Sequence, residues 1–146
     1  MYKWIMTSEP EHLGCTVLVI SNNKVLLGKR INSYKSGHYG CPGGRLELTE
    51  SMIDCAKREL FEETGVKAIE ISYVGAVREL QDGYNFIHFT FMCTKWEGDI
   101  KVIEPDKCES WNFYSIDSLP RPVLPAHIAG IEFVNNPTRG YLDILT

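Results

Sequence analysis

The hydrophobic pattern at the start of the chain predicts two strands followed by a long loop. The apolar, β-branched runs Leu13–Ile20 and Lys24–Arg30 are separated by a Ser-Asn-Asn turn at 21–23. Two such runs on either side of turn residues are typical of a β-hairpin. The next segment, Ile31–Arg45, is rich in Gly, Ser, Lys, His and Tyr and contains a Cys-Pro-Gly-Gly turn, so we expect a loop there.

A helix is predicted over Ser51–Thr64, directly after this loop. Three apolar residues have the spacing of one buried helical face: Ile53, Ala56 and Leu60. Thr49 is the expected N-cap, and Gly65 is the expected C-terminal stop.

The middle of the chain is predicted to consist mainly of strands. Val66–Glu79 predicts one or two strands, and Asn85–Thr94 predicts another that pairs with them across a Gln-Asp-Gly turn at 81–83. Trp96–Asp106 is charged and predicts a loop, whereas Ser110–Ser115 predicts a short aromatic strand.

A second helix is predicted over Pro125–Asn135, with proline in its first turn. Its inner side is expected to carry Ile128, Ile131 and either Phe133 or Val134. Three prolines exclude a regular element over Leu119–Pro125, and the final residues stay unassigned. The order of strands, loop, helix, strands and helix favours an α/β (α+β) fold, with helices packed on a mixed sheet, over a doubly wound βαβ fold.

Composition limits the class of protein. With 146 residues, of which 44% are hydrophobic and 23% charged, the chain is expected to form one globular domain over 1–146. Five cysteines without a Cys-x-x-Cys pair favour a reduced, cytoplasmic protein. A net charge of −4 disfavours duplex nucleic acid as a partner.

The sequence also predicts no association with a membrane. The longest apolar run, Cys15–Ile20, is too short for a span of ~20 residues, and the first residues lack the apolar region of a signal peptide. The oligomeric state stays open, with a homodimer among the alternatives.

Three glutamates on the first predicted helix form the most informative cluster. Glu59, Glu62 and Glu63 occupy positions i, i+3 and i+4, which places them on neighbouring parts of one helical surface. A hard divalent cation such as Mg²⁺ would relieve their repulsion, since it prefers carboxylate oxygens and tolerates phosphate as a further ligand. The alternative is a solvated acidic face on which Arg58 pairs with Glu62. A Pro-Gly-Gly turn at 42–44, where the backbone can approach a ligand closely, favours the metal site.

The spacing of residues from Gly44 to Val66 resembles the signature box of the Nudix hydrolases. The matching residues are Gly44, Glu50, Arg58-Glu59-Leu60, Glu62-Glu63 and Gly65-Val66. Three further stretches resemble the MutT-like nucleotide diphosphatases: Leu26–Arg30, Pro42–Glu47 and Glu104–Trp111. The last of these, with Leu119-Pro120 after it, is similar to the branch that hydrolyses purine deoxynucleotides and thiopurine nucleotides. The chain is thus identified as a member of the Nudix family.

This resemblance implies a Nudix-type α/β/α sandwich with a central mixed β-sheet. It also implies hydrolysis of a nucleoside diphosphate linked to another group, with Mg²⁺ or Mn²⁺ as cofactor. Carried over by position, Glu59 and Glu63 are the principal metal ligands, and the Gly44 carbonyl completes the set. Glu62 is a third ligand or a bridge through water, and it is counted with Glu59 among the catalytic residues. Arg58 orients the carboxylates.

The resemblance leaves the general base open. Glu109, just before Trp111, matches a glutamate of MutT-like members and would act as a base or as an additional metal ligand. Glu104 is the competing candidate, and an exposed charge at the rim of the site is the alternative for both. Glu50 would brace the junction between loop and helix.

Several other side chains are candidates for holding the substrate. Arg30, at the end of a strand facing the box, would contact phosphate, or would be an ordinary charge at the end of a strand. Tyr39, with His38 beside it, would line the nucleotide pocket, and Asn112 would hydrogen-bond a base edge.

Two further features are weaker. The alternating residues Tyr84, Phe86 and His88 either stack on a base or pack on the face of the sheet. Cys41 lies beside the Pro-Gly-Gly turn, but no His or Asp partner is evident, so a thiol nucleophile is not expected.

The leading functional prediction is a nucleoside triphosphate diphosphatase that yields a nucleoside monophosphate and pyrophosphate. An oxidised or modified purine nucleotide is a candidate substrate, which would give the protein a role in sanitising the nucleotide pool. The alternatives are nucleotide sugars, dinucleoside polyphosphates and capped RNA ends, the last of which the acidic composition disfavours. A non-catalytic nucleotide-sensing module is a further alternative, although such modules tend to lose box glutamates that are all present here.

Overall fold

The computed structural model describes residues 11–81 and 83–145. Within them it contains, in chain order, β1 (His12–Ser21), β2 (Lys24–Arg30), β3 (Tyr39–Gly40), β4 (Gly43–Arg45), α1 (Met52–Thr64), β5 (Lys67–Gln81), β6 (Tyr84–Glu97), β7 (Cys108–Ser115), α2 (Pro125–Asn135) and β8 (Tyr141–Leu145). The start of the chain, where the sequence predicts no signal peptide, and Asp82, at the centre of the predicted turn, lie outside the described residues. Neither helix in the described ranges is long and apolar enough to cross a membrane.

The strands form one mixed sheet. Its central path runs β3-β2-β1-β6-β5-β8, while β4 pairs with β1 and β7 pairs with β2. The β1–β6 and β5–β8 pairs are parallel, and the other strand pairs in the described ranges are antiparallel. As predicted, β5 and β6 pair with each other, from Lys67 opposite Glu97 to Gln81 opposite Tyr84. The segment after α1 is therefore one long, irregular strand rather than two.

The two helices cover opposite faces of this sheet. Val17 of β1 packs in a buried cluster with Ala56 and Leu60 of α1, whereas its neighbour Leu18 packs with Ile131 of α2. Successive side chains of a strand point to opposite faces, so α1 and α2 lie on opposite sides of the sheet. The predicted α/β/α sandwich with a mixed sheet is therefore confirmed.

The N-cap of α1 is Ser51, and the prediction of Thr49 is wrong. The Ser51 hydroxyl accepts a hydrogen bond from the Asp54 N–H at 3.2 Å. Thr49 instead has a φ of 78° and belongs to the turn that precedes the helix. Gly65 ends the helix as predicted, because its left-handed φ of 80° lets its N–H bond to the Phe61 carbonyl.

In each helix one residue that was predicted to be buried is exposed, and the others are buried as predicted. The buried residues of α1 are Cys55, Ala56, Leu60 and Thr64. Ala56 and Leu60 are thus buried as predicted, whereas Ile53 is 37% exposed. In α2, Ile131 and Phe133 are buried as predicted, but Ile128 is 40% exposed because the small Ala126, Ala129 and Gly130 occupy the inner side.

The segment predicted as a loop, Ile31–Arg45, contains the short strands β3 and β4, and these shape the site. β1 and β2 pair with each other only next to their turn, at Ile20–Val25 and Ser21–Lys24. Farther along, β1 pairs with β4 and β2 pairs with β3, so the two long strands take different partners and separate. The unassigned end of the chain forms β8, which pairs in parallel with β5.

Candidate active site

A cavity of about 550 Å³ lies where β1 and β2 separate. One part of its lining, here called the box wall, consists of Gly43, Gly44, Arg45, Glu59, Glu62 and Glu63. A second part, here called the α2-side wall, consists of Glu79, Tyr84, Phe86, His88 and His127. The cavity thus brings the carboxylates of the first helix together with residues from the opposite face of the sheet.

Glu63 is the most deeply fixed carboxylate of the box wall. Its Oε2 accepts a hydrogen bond from the Gly43 N–H at 3.0 Å. Its backbone carbonyl accepts another from the Trp111 indole N–H at 3.2 Å, which ties the end of α1 to β7. The turn before the helix and the strand after it therefore both hold Glu63 in position.

Glu59 lies directly against the backbone of Gly44. A Cβ atom built on Gly44 would collide with the Glu59 carboxylate, so no other residue fits here without displacing that side chain. Gly44 is held in place by pairing with Cys15 of β1. The glycine of the box is thus required for close approach between the loop and the helix.

Arg58 connects the carboxylates around the start of the box. Its guanidinium donates to both oxygens of Glu50 at 2.9 and 2.8 Å, and to the Arg45 carbonyl at 3.0 Å. It also donates to Glu59 at 2.8 Å and to Glu62 at 3.2 Å. The structure therefore places Arg58 where it orients two box carboxylates, and Glu50 where it braces the junction of loop and helix.

Electrostatics distinguish these carboxylates from one another. Hydrogen bonds from Arg58 lower the pKa of Glu50 to about 2. Burial raises the pKa of Glu63 to about 8, and the carboxylates of Glu59 and Glu104 add to this effect. Burial also raises the pKa of Glu59, against the influence of Arg58. A cation in the cavity would offset this concentration of buried negative charge.

The donor set of the box wall suits a hard divalent cation. In the described residues no His, Cys, Asp or Glu side chains form a ready-made metal cluster. Glu59 and Glu62 bond to Arg58, and Glu63 bonds to Gly43. Three carboxylates on one cavity nevertheless provide the oxygen ligands that Mg²⁺ and Mn²⁺ prefer. Glu59, Glu62 and Glu63, with the adjoining Gly44 carbonyl, are the groups that could hold such an ion.

The structure separates the two candidates for the general base. Glu104 lines the cavity, and its carboxylate is among those that raise the pKa of Glu63. Glu109 lies outside the cavity lining, with its side chain 58% exposed and 3.7 Å from the Lys29 ammonium. Glu104 is therefore the better placed of the two for chemistry in the cavity.

Of the three residues Arg30, Tyr39 and Asn112, which were predicted to hold the substrate, Arg30 lines the cavity and the other two do not. The Arg30 Nε donates to the Tyr34 carbonyl at 3.0 Å, and its charge lowers the pKa of Glu63. Tyr39 packs edge to face against Tyr114, with ring centroids 5.6 Å apart, in the cluster beneath the loop. Asn112 is exposed, because the adjacent Trp111 takes the cavity side of β7. The predictions for Tyr39 and Asn112 thus do not agree with their positions.

Of the two residues near Tyr39, His38 differs from expectation, whereas Cys41 agrees with the prediction that it is not a thiol nucleophile. His38 does not line the cavity, and its Nδ1 is buried without a hydrogen-bond partner among the described residues. Cys41 does line it, but burial raises the pKa of the thiol, which disfavours the thiolate that a nucleophile requires.

A row of aromatic rings lines the cavity, beginning at Tyr34 in the loop after β2 and continuing along the α2-side wall. Tyr34 and Tyr84 stack with centroids 5.7 Å apart, Tyr84 and Phe86 follow at 5.6 Å, and Phe86 and His88 at 4.3 Å. The alternating set on β6 therefore lines the cavity as well as packing against its neighbours. Such rings form a surface suited to a planar base.

Two residues of this wall, Glu79 and His127, were not singled out by the sequence. His127 Nδ1 accepts a hydrogen bond from the Cys41 N–H at 2.8 Å, and burial holds the pKa of the imidazole well below its usual value. The ring is therefore neutral, with its proton on Nε2. Glu79 pairs with His88 across β5 and β6. No local motif marks either residue. The sequence shows only that Glu79 lies in the alternating pattern of a predicted strand and that His127 lies in the first turn of a predicted helix.

Comparison with solved structures supports the same fold. A MutT NUDIX hydrolase from Burkholderia pseudomallei is similar to this chain, with a TM-score of 0.83 and 26% sequence identity. The alignment covers 86% of this chain and 99% of that one. The resemblance thus extends over nearly the whole of a MutT structure.

Curated relatives are similar at the same level. The NAD-capped RNA hydrolase NudC of Vibrio cholerae is 26% identical over 118 residues, which is 80% of this chain and 42% of that protein. This chain thus spans less than half the length of that relative. The 8-oxo-dGTP diphosphatase of Proteus vulgaris is 26% identical over 98 residues, which is 66% of this chain and 87% of that protein.

The family match covers most of the sequence. The sequence profile described as the NUDIX domain matches residues 10–134. This range includes the whole of α1 and all of α2 except its last residue, Asn135. It also includes all the cavity residues and the complete box. Since the profile, the fold and the gathering of the box carboxylates agree, the chain belongs to the Nudix family.

Proposed function

We propose that this protein is a divalent-metal-dependent hydrolase that cleaves nucleoside triphosphates, oxidised or modified purine nucleotides among them, to nucleoside monophosphate and pyrophosphate. The observation that carries the proposal is the shared cavity. Three box carboxylates and Arg30 suit a phosphate chain with its metal, while stacked aromatic rings on the α2-side wall suit a base. The similarity to MutT and to an 8-oxo-dGTP diphosphatase supports a nucleotide substrate.

The box wall provides the groups for the metal. Glu59, Glu62 and Glu63 would hold Mg²⁺ or Mn²⁺, which neutralises phosphoryl oxygens and lowers the pKa of bound water when present. Arg58 orients the Glu59 and Glu62 carboxylates through its hydrogen bonds of 2.8 and 3.2 Å. Arg30 contributes a positive charge to the cavity, where it balances the remaining charge of the phosphate chain.

Glu104 is our candidate for the general base. Its carboxylate lines the cavity, and its Oε2 accepts a hydrogen bond from the Lys107 ammonium at 3.2 Å. A carboxylate in this place would remove the proton from the attacking water as the bond to phosphorus forms. The exposed Glu109, bound to Lys29 outside the cavity, is not assigned a role.

A second candidate function is hydrolysis of NAD-capped RNA. It is favoured by the similarity to NudC over 80% of this chain, although the chain spans only 42% of that protein. Both functions break a pyrophosphate bond and would use the same box wall. They differ in what the rest of the cavity accepts.

The site of action is proposed to be a reducing compartment such as the cytoplasm. The five cysteines are free in the structure, and four of them are buried. Thiols that remain unpaired are typical of proteins in reducing surroundings.

Product analysis over a nucleotide panel tests the proposal. Purified protein is incubated with each nucleoside triphosphate, with NAD and with NAD-capped RNA, in Mg²⁺, in Mn²⁺ and in excess EDTA. We expect pyrophosphate and nucleoside monophosphate from the triphosphates in either metal, and no turnover in EDTA. Orthophosphate with nucleoside diphosphate as main products, activity that survives chelation, or turnover confined to NAD-capped RNA would contradict the proposal.

A further inference from the structure

The α2-side wall contains a buried carboxylate that the proposed reaction does not use. Glu79 is 5% exposed, yet it lines the cavity. It lies on β5 directly opposite Phe86 of β6, on the face that α2 covers. A carboxylate at this depth calls for a function, because burying a charge is unfavourable unless donors satisfy it.

Its environment fixes the carboxylate in place but does not satisfy it. Among the described residues, the side-chain partner of Glu79 is His88, whose Nε2 lies 3.4 Å from Glu79 Oε1. The other ring nitrogen of His88 lies 3.5 Å from the hydroxyl of Thr16, which is fully buried in β1. An ionised carboxylate has about four acceptor positions, so acceptor capacity remains for a donor inside the cavity.

The neighbouring groups are arranged around a planar ring. Tyr84 and Phe86 stack beside Glu79 on the adjacent strand, with their ring planes 21° apart. The neutral His127 lies against His88, with ring centroids 6.0 Å apart, and carries its proton on Nε2. The wall therefore combines an acceptor, a donor and a stacking surface.

We propose that Glu79 determines base specificity by accepting two adjacent N–H groups of a guanine-type base. The N1–H and the 2-amino group of guanine lie side by side and match the two oxygens of one carboxylate. Hypoxanthine lacks the 2-amino group, and adenine presents an unprotonated N1 that repels the carboxylate. The proposal rests on the proposed function, because it assumes that the cavity receives a nucleotide.

Discrimination should be large because the group is buried. A site built to hydrogen-bond a substrate group rejects an analogue without that group, since its own buried polar atoms are then left unpaired. We expect the wild-type protein to prefer GTP over ITP, and GTP over ATP, by roughly tenfold or more in kcat/KM. His88 and Thr16 are positioning residues in this arrangement, since they act through Glu79.

The experiment compares GTP, ITP and ATP with the wild type, with Glu79→Gln and with Glu70→Gln. Glu70 is the matched control because it lies on the same strand and is exposed. Replacement of one oxygen by an NH₂ group in Glu79→Gln should reduce the GTP-to-ITP ratio to within about threefold of unity, while Glu70→Gln leaves it unchanged. A purely structural role of Glu79 would lower all three rates alike and leave the ratio intact, which would overturn the proposal.

A binding measurement separates this inference from the proposed function. Calorimetry with GMP and IMP on the wild type needs neither turnover nor a variant that folds, and we expect GMP to bind roughly tenfold more tightly. If pyrophosphate release occurs but GMP and IMP bind equally, the base assignment is wrong and the proposed function stands. If GMP is preferred but no triphosphate is cleaved in Mg²⁺ or Mn²⁺, the assignment stands and the proposed function is wrong.

Discussion

The two walls of the cavity are built in different ways. The box wall comes from one continuous segment, where Arg58 and Glu50 are eight residues apart and Arg58 and Glu59 are adjacent. The α2-side wall joins distant parts of the chain, since Thr16 and His88 are 72 residues apart and Cys41 and His127 are 86 apart. The first wall is thus contiguous in sequence, although pairing with Cys15 and the bond from Trp111 also hold it, whereas the second wall exists only when distant strands and α2 meet.

The walls also face different parts of the substrate in our proposal. The carboxylates of the box wall act on the phosphate chain, which all nucleotides share. The aromatic rings and Glu79 of the α2-side wall meet the base, which differs among them. Substitutions in the box wall should therefore change the rate for every nucleotide, and those in the other wall should change the ratios between nucleotides.

The largest effect is expected from Glu63→Gln. Loss of one carboxylate charge from the metal site should remove several kcal/mol of transition-state stabilisation, so we expect kcat to fall by roughly 1,000-fold. The reduction should be equal for GTP, ITP and ATP, because the base is read elsewhere. Steady-state kinetics on the three substrates measure both quantities.

Glu97→Gln is the matched control for this variant. Glu97 is exposed at the end of β6, so the kcat of the Glu97→Gln variant should equal that of the wild type. A Glu63→Gln protein that folds, by circular dichroism, and keeps kcat within tenfold of the wild type would show that Glu63 is not a principal ligand.

A smaller effect is expected from Glu104→Gln. A general base contributes typically about 100- to 10,000-fold, and we expect a loss near the lower end, with a shifted pH–rate profile. Glu109→Gln should leave kcat within about twofold, because its side chain is exposed and bound to Lys29. The reverse ranking would return Glu109 to the role that the family resemblance implies.

The smallest effect concerns stability against pH in EDTA, where the walls should respond with opposite signs. The folded state raises the pKa of Glu63 to about 8, so it holds a proton that the unfolded chain has lost. The free energy of unfolding should therefore fall as the pH rises from 6.5 to 8, by about 1–2 kcal/mol. The folded state lowers the pKa of His127. The stabilisation that follows from this shift is therefore present above pH 6.5 and is lost as the pH falls.

Chemical denaturation at a series of pH values tests both signs. Glu63→Gln should abolish the loss of stability on the alkaline side, and His127→Asn should abolish the loss that begins below pH 6.5. Asparagine keeps an acceptor near the position of Nδ1 for the Cys41 N–H. Parallel curves for the wild type and both variants would mean that neither group titrates differently on folding.

The sequence was sufficient to predict the box wall. Helical spacing places Glu59, Glu62 and Glu63 on one surface, and the structure gathers them on one cavity. The sequence could not determine which side of a strand faces that cavity. Trp111 and Asn112 alternate, and the hydrogen bond from the Trp111 indole to Glu63 decides that Asn112 points away.

Other features depended on packing that no local pattern reveals. Ile53 lies at a correct helical spacing, but the small side chains of Cys55 and Ala56 take the place against the sheet. Glu79 and His127 have no motif around them. They become part of the cavity lining only when β5, β6 and α2 pack together.

The segment Cys41-Pro42-Gly43 has a consequence for how such a protein can diverge. Its first residue bonds to His127 and its last to Glu63, while the Pro42 carbonyl between them accepts the Val17 N–H at 2.8 Å. Any displacement of α2 would therefore shift Cys41 and, two peptide units later, Gly43. The Glu63 carboxylate, which bonds to Gly43, would move with it. Exchanges of side chains on β5 and β6 reshape the cavity and leave these bonds in place. We expect inherited changes of base preference to accumulate on those two strands rather than on α2.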